Sequence, residues 1–248
     1  MLKKLVLALA LSSVSTLAFA QAPKEGGVVN AASFGTTVAP GSLISIFGRN
    51  LGVLEAGAAR LPLPTELGGL SVTLNGRALP LLYSGAGQIN AQLPFDMSGT
   101  LTLRVSTPNG AAQTTLRVSD AAPGIFVAAT EAGRVATVLR ADGTLASAAS
   151  PVRPGENLTV FLTGLGAVAG DVQAGQAAPT VPLATTRLPV AVRISSTMVT
   201  PSYSGLAPGY AGLYQVNFRV PPDMPPGLHS LEILADGVPS NIVTLSVH

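Results

Sequence analysis

Residues that usually carry chemistry are scarce in this chain. The 248 residues include no Cys and two His, His229 and His248. The lack of Cys excludes disulfides, Cys-ligated zinc and thiol catalysis. With only two His, a histidine metal cluster or a Ser-His-Asp site is unfavoured. The G-x-S-x-G motif of α/β-hydrolases does not occur either. His229 lies in an alternating, strand-like segment, which favours a surface or hydrogen-bonded role over that of a base.

The acidic residues are scattered singly and form no recognisable catalytic pair. Asp96 and Asp223 recur in matching Pro-x-Asp-Met segments, which is typical of a turn residue bonded to nearby backbone. Gly164-Leu165-Gly166 has the wrong spacing for a phosphate loop, so we interpret it as a turn at a strand end. We predict no catalytic residue, no metal site and no cofactor, and weak calcium binding at one end of a β-sandwich stays open.

The candidate binding residues are the two tyrosines of segment 206–214, Tyr210 and Tyr214. A tyrosine in a Pro/Gly-rich loop can contact a sugar or a protein. The alternative is that Tyr210 covers an apolar edge of its own domain. Elsewhere three polar residues occur twice, and we interpret them as structural rather than as a duplicated ligand site: Tyr83, Gln88 and Asn90 recur as Tyr203, Gln215 and Asn217.

The first twenty residues have the pattern of a signal peptide. Lys3 and Lys4 precede an apolar stretch that ends in Ala18-Phe19-Ala20. We predict cleavage after residue 20, export to the periplasm, surface or medium, and no stable membrane span afterwards. Removing the two lysines leaves 12 basic against 12 acidic residues. This neutral balance is unfavourable for nucleic-acid binding, which needs clustered positive charge.

The chain contains an internal repeat. Segment 38–48 resembles 152–162 at an offset of 114, Tyr83-Ser84-Gly85 matches 203–205 at 120, and Gln88-Ile89-Asn90 matches 215–217 at 127. The second repeat therefore has six extra residues between 161 and 182 and seven between 205 and 215. Insertions between matched strands belong on loops. The long segments 51–67 and 167–188, rich in Ala, Gly and Pro, are either partner-facing or loose.

Each repeat has the pattern of several short strands. Leu70–Leu74 alternates apolar and polar residues and ends at Asn75-Gly76, a strong hairpin signal. This pattern predicts an all-β tandem of two immunoglobulin-like β-sandwich domains after a cleaved signal peptide. The predicted signal peptide covers residues 1–20 and is followed by a short N-terminal segment, 21–26. The first sandwich is predicted over 27–126. The second is predicted over 127–248 and opens with a hairpin over 134–148.

Several short motifs resemble one family in particular. They are Val29-Asn30-Ala31-Ala32-Ser33, Ala39-Pro40-Gly41, Ala122-Pro123-Gly124-Ile125-Phe126, Arg153-Pro154-Gly155, Gly164-Leu165-Gly166 and Gly212-Leu213-Tyr214-Gln215-Val216-Asn217. Together they look like the Solibacter-type C-terminal domain of secreted acidobacterial proteins. Each half also resembles the IPT/TIG immunoglobulin-like modules of cell-surface proteins. The resemblance implies secretion and β-sandwich modules, and it supplies no catalytic residues.

Three functions remain for testing. The leading hypothesis is an exported, non-enzymatic binding or structural module at the cell envelope or outside the cell, with an envelope or extracellular protein or polysaccharide as partner. Its sheet edges could pair with a partner strand. The alternative is a carbohydrate-binding accessory module that uses loop 206–214, although the chain has no Trp. The third is a cryptic hydrolase.

Overall fold

The computed structural model describes residues 27–52, 54–130 and 133–248. The predicted signal peptide and segment 21–26 lie outside these residues. The described chain consists of strands and turns and contains no helix, so no helical segment there has the length and apolar character to cross a bilayer. The predicted fold class, an all-β tandem of two immunoglobulin-like sandwiches, is confirmed.

Ten strands of the described chain form the first sandwich. They are β1 (Val28–Asn30), β2 (Leu43–Phe47), β3 (Ala56–Gly57), β4 (Glu66–Leu67), β5 (Leu70–Leu74), β6 (Arg77–Ala78), β7 (Leu81–Ser84), β8 (Gln88–Gln92), β9 (Gly99–Thr107) and β10 (Gly110–Val118). One sheet has the order β1-β2-β8-β7-β3. The other has the order β10-β9-β5-β4, with β6 also paired to β5.

The second sandwich follows the same plan with a different entry. Its strands are β11 (Gly124–Ile125), β12 (Val127–Thr130), β13 (Gly133–Ala136), β14 (Val138–Arg140), β15 (Asn157–Thr163), β16 (Val190–Ile194), β17 (Thr197–Val199), β18 (Tyr203–Leu206), β19 (Tyr214–Arg219), β20 (Gly227–Ala235), β21 (Val238–Pro239) and β22 (Val243–Val247). One sheet runs β11-β15-β19-β18, with β14 also on β15. The other runs β17-β16-β20-β21, with β22 also on β20, and β12 and β13 form a separate hairpin.

Strand register reproduces the sequence repeat. Ile46 lies opposite Ile89 in the first sandwich, and Val160 lies opposite Val216 in the second. These pairs are separated by the offsets of 114 and 127 that the sequence gives. In the hairpins β9–β10 and β20–β21 the offset becomes 128. The pair next to the turn is Thr107–Gly110 in the first hairpin and Ala235–Val238 in the second.

Each sandwich has its own apolar core between its two sheets. Alternation in β5 and in β20 directs every second side chain inward. The first core contains Ile44, Ile46, Val72 and Leu74, among others. The second contains residues such as Ile233 and extends to the partly buried Phe95 of the first sandwich. The two cores are thus joined by a side chain that crosses the boundary.

The entry to the second sandwich differs from the predicted 134–148 hairpin. Gly143 does form a turn, with its N–H bonded to the carbonyl of Arg140, and Leu139 bridges Leu145. However, β13 pairs back with β12. The β12 strand is only two residues away along the chain, so this pairing closes a shorter loop at a lower entropy cost. β11 lies inside the range 27–126 predicted for sandwich 1, but it pairs with β15 of the second sandwich.

Candidate functional site

Tyr214 begins β19 and lies inside the molecule. Its side chain is fully buried. The hydroxyl donates to the carbonyl oxygen of Gly166 at 2.5 Å and also lies 3.3 Å from the carbonyl oxygen of Pro40 in the first sandwich. Burial raises the pKa of this phenol far above its usual value. The ring offers no surface to a ligand, so Tyr214 is corrected from a stacking candidate to a packing residue between the sandwiches.

Tyr210 lies on the outside of the same loop. Its side chain is 59% exposed. Its backbone is fixed, because its N–H bonds to the carbonyl of Ala207 and its own carbonyl accepts from Ala178 at 2.9 Å. Gly209 also donates to the carbonyl of Ala178. The structure therefore separates the two candidate tyrosines, and only Tyr210 can touch a partner.

Gly212, two residues further along this loop, lies against the first sandwich. Gly212 has a φ of +66°, and a Cβ placed there would lie 2.6 Å from Leu43 Cδ2 and 3.0 Å from Gln92 Cγ. The carbonyl of Gly212 accepts from the Thr163 hydroxyl at 3.3 Å. That hydroxyl oxygen in turn accepts from the backbone N–H of Leu43 at 2.9 Å. This insertion is used to hold the two sandwiches together.

The other insertion, between 161 and 182, reaches the first sandwich as well. The N–H of Gly175 donates to Oε1 of Gln92 at 2.7 Å, and its carbonyl accepts from the N–H of Leu63 at 2.8 Å. Gln92 is almost completely buried and thus touches both insertions. Segments 51–67 and 167–188, interpreted from sequence as partner-facing or loose, therefore meet at Leu63 and Gly175, and Gly175 holds the second sandwich against the first.

The Gly164-Leu165-Gly166 segment lies against the chain that joins the sandwiches. A Cβ at Gly164 would lie 2.0 Å from the carbonyl oxygen of Ala122. Ala122 also donates to the carbonyl of Gly164, and its own carbonyl accepts from the side-chain amide of Asn30 at 2.8 Å. The glycine is required by this close backbone approach, which fits the interpretation as a turn at the end of β15.

The recurring asparagines act in the same way in both sandwiches. Asn90 Oδ1 accepts from the Ser45 hydroxyl at 3.1 Å, and Asn217 Oδ1 accepts from the Thr159 hydroxyl at 3.1 Å. Each also accepts from the glutamine amide two positions earlier, at 2.8 Å and 3.4 Å respectively. The hydroxyl bonds link neighbouring strands, and the glutamine bonds lie within one strand. Both support a structural role for these duplicated asparagines and glutamines.

Some of the charged side chains in the described residues form separate ion pairs. Glu232 pairs with Arg193 across β16 and β20. Arg77 Nη1 lies 2.6 Å and 2.8 Å from the two carboxylate oxygens of Asp96 at an exposed site. The His229 ring contacts the Ser195 hydroxyl and the Pro225 carbonyl. No group of three or more His, Asp or Glu in the described part of the chain could hold a metal ion.

A polar groove of about 630 Å³ opens at one end of the second sandwich. Arg140 lines the groove, and its Nε lies 2.9 Å from Oε1 of Glu156. Asp142 lies at its rim, where a hydrogen bond from Thr144 lowers the pKa of the carboxyl group. The adjoining Pro154-Gly155 matches Pro40-Gly41 of the first sandwich, the stretch that the second sandwich covers.

Arg219 stands beside this groove, at the position that Gln92 has in the first sandwich. Its Nε donates to the carbonyl of Gly155 at 2.7 Å. The matching contact in the first sandwich joins Nε2 of Gln92 to the carbonyl of Gly41, at 3.5 Å. The same end of the two sandwiches is therefore buried in one and charged and open in the other.

Comparisons with known proteins give structural similarities only. No protein family and no curated protein matches the chain. Among solved structures, SGBP-B of the Bacteroides ovatus mixed-linkage glucan utilization locus, in complex with a mixed-linkage heptasaccharide, is 13% identical, with 86% of this chain and 43% of that chain covered and a TM-score of 0.35. SGBP-B from a Bacteroides uniformis xyloglucan utilization locus is 14% identical (84% and 45% covered, TM-score 0.27). The plexin A4 extracellular region is 15% identical (96% and 19%, TM-score 0.33). The chain thus spans less than half the length of each of these proteins.

Proposed function

We propose that this chain is an exported, non-enzymatic binding or structural module that works at the cell envelope or outside the cell. The observation that carries the proposal is how the polar side chains are used. Tyr214, Thr163 and Gln92 bond the two sandwiches to each other. Asn90 and Asn217 bond strands within them. Because these side chains hold the structure together, their use supports a rigid scaffold that presents its surface to a partner.

Export is the second part of the proposal. It is supported by Lys3 and Lys4 before the apolar stretch and by the small residues at Ala18 and Ala20. The full sequence should be expressed, and the N-terminus of the product found outside the cytoplasm should be sequenced. A product that begins at Gln21 is expected, and retention of Met1 in the cytoplasm would contradict export.

The binding test is retention of the purified chain on the producer's isolated envelope and on a panel of polysaccharides. A protein or polysaccharide partner predicts saturable retention. The non-enzymatic part is tested in the same samples by assaying for released sugars and peptides. Hydrolysis that disappears when a single carboxylate is replaced would overturn it.

Carbohydrate binding through Tyr210 is the second candidate. It is favoured by one observation: the exposed ring sits on a loop whose backbone is already fixed by Ala178, so little ordering is needed to bind. The variant Tyr210→Ala is expected to weaken retention on a polysaccharide without changing Tm. The matched variant Tyr210→Phe keeps the ring and should retain binding. Equal retention by all three proteins would exclude this loop as the sugar site.

A further inference from the structure

Among the described residues, no strand pairs with the outer edge of β10 along most of its length. All nine residues of β10 pair with β9 on the other side. In an antiparallel ladder, alternate residues direct both backbone groups to the same neighbour. Ser119 just beyond β10 donates outward to the carbonyl of Val38, so Ala111, Gln113, Thr115 and Arg117 also direct their N–H and C=O groups to the free edge. Their side chains are exposed.

The matching edge of the second sandwich is treated differently. There the strand is interrupted between β21 and β22, and Pro239 has no N–H to offer. The side chain of Asn241 accepts from the N–H of Ile125 at 2.8 Å and donates to its carbonyl at 3.2 Å. Interruption, proline and coverage are the usual ways to prevent pairing at an edge. Among the described residues, none of these devices occurs between Ala111 and Arg117.

The free stretch has defined limits. At one end the hairpin turn Pro108-Asn109 closes it, and at the other end the bridge between Val38 and Val118 covers it. The open segment is therefore Ala111–Arg117, with Thr114 at its centre. Two such segments fit each other in only one full-length antiparallel register, the one with a two-fold axis at Thr114.

We propose that β10 binds the β10 edge of another molecule of this chain, so that the two first sandwiches form a two-fold symmetric dimer with a continuous sheet. This rests on the proposed function as a binding module and names its partner. In the register centred on Thr114, Arg117 lies opposite the other molecule's Ala111, so the one charge on each edge meets a small residue. Gln113 lies opposite the other molecule's Thr115, and about eight backbone hydrogen bonds form.

The test is the association state of the full-length chain, as processed by the expression host, measured by sedimentation velocity over a range of concentrations. The wild-type chain is expected to dimerise. In the variant Q113K/T115K, the lysine at 113 of each molecule faces the lysine at 115 of the other. These two like-charged pairs should raise the dimer dissociation constant about tenfold or more. The variant Q113E/T115K puts a carboxylate opposite each lysine and should restore the dimer.

The matched control lies in the second sandwich. The bridges at Val118 and Val247 align Gln113 and Thr115 with Ile242 and Thr244, and all four side chains are exposed. The variant I242K/T244K should leave dimerisation unchanged. A chain that is monomeric at every concentration, or a dimer indifferent to Q113K/T115K, overturns this proposal. A monomeric chain that is retained on the envelope would refute the dimer and leave the proposed function in place. A dimeric chain that is not retained on any envelope or polysaccharide would refute the proposed function and leave the dimer in place.

Discussion

Replacing Tyr214 by Phe removes one hydroxyl group and leaves the ring in place. The structure gives this hydroxyl a buried bond of 2.5 Å to the carbonyl of Gly166 and a second contact with Pro40. Loss of one such bond, with a buried carbonyl left unpaired, should lower the free energy of unfolding by about 1–2 kcal/mol. For a chain of this length, Tm should fall by roughly 2–8 °C.

The measurement is urea unfolding of the wild-type chain, Tyr214→Phe and the control Tyr210→Phe. Tyr210 is exposed, so its hydroxyl should contribute almost nothing to stability. Equal unfolding free energies for Tyr214→Phe and the wild-type chain would refute the reasoning. So would a larger loss for Tyr210→Phe, because the assignment of one ring to the interior and the other to solvent would then be reversed.

The same substitution has a pH signature. Burial raises the pKa of Tyr214 in the folded chain, while in the unfolded chain it is about 10. Above that pH the unfolded chain loses this proton and the folded chain keeps it, so stability falls as pH rises. Below pH 10 the group has no pH effect. Tyr214→Phe should therefore make the alkaline decline in stability shallower than in the wild-type chain, and an unchanged slope would contradict the burial.

The remaining predictions concern the contact between the sandwiches and one surface ion pair. Gly212→Ala should raise the radius of gyration in small-angle scattering, because its Cβ would strike Leu43, whereas Gly209→Ala, with a similar positive φ but no atom within 4 Å, should not. Thr163→Val should lower the free energy of unfolding in urea by about 1 kcal/mol, because it removes the acceptor of the partly buried Leu43 N–H, and Thr163→Ser should not. Arg77→Ala should change the unfolding free energy by less than about 1 kcal/mol, despite the short contact with Asp96, because both groups are exposed.

The fold was predictable because strands leave a local record. Leu70–Leu74 alternates with period two, and Asn75-Gly76 supplies the positive φ angles of a tight turn. The offsets of 114 and 127 reappear as register pairs such as Ile46–Ile89 and Val160–Val216. Periodicity and repeat spacing can both be measured along the chain without knowing its fold, so a single sequence contains them.

The candidate site was less predictable because it depends on how distant segments meet. Sequence spacing places Gly175 and Gly212 on loops, but only the docked fold brings both to Gln92. Tyr214 did carry a usable signal. It alternates with Val216 and Phe218, and all three are buried on one face of β19. Extending the period-two pattern from Val216 back by two residues places Tyr214 in the core rather than in the loop.

The difference between the equivalent ends of the two sandwiches has a consequence for assembly. An end that accepts a sandwich, repeated unchanged on the accepted sandwich, would allow molecules to add head to tail without limit. In the second sandwich Leu43 is replaced by Asn157 and the buried Gln92 by the charged, solvent-exposed Arg219. Docking there would strip water from a guanidinium group. The end of the second sandwich is therefore unsuited to bind a further sandwich. The substitutions at 157 and 219 thus disfavour the growth of a head-to-tail filament.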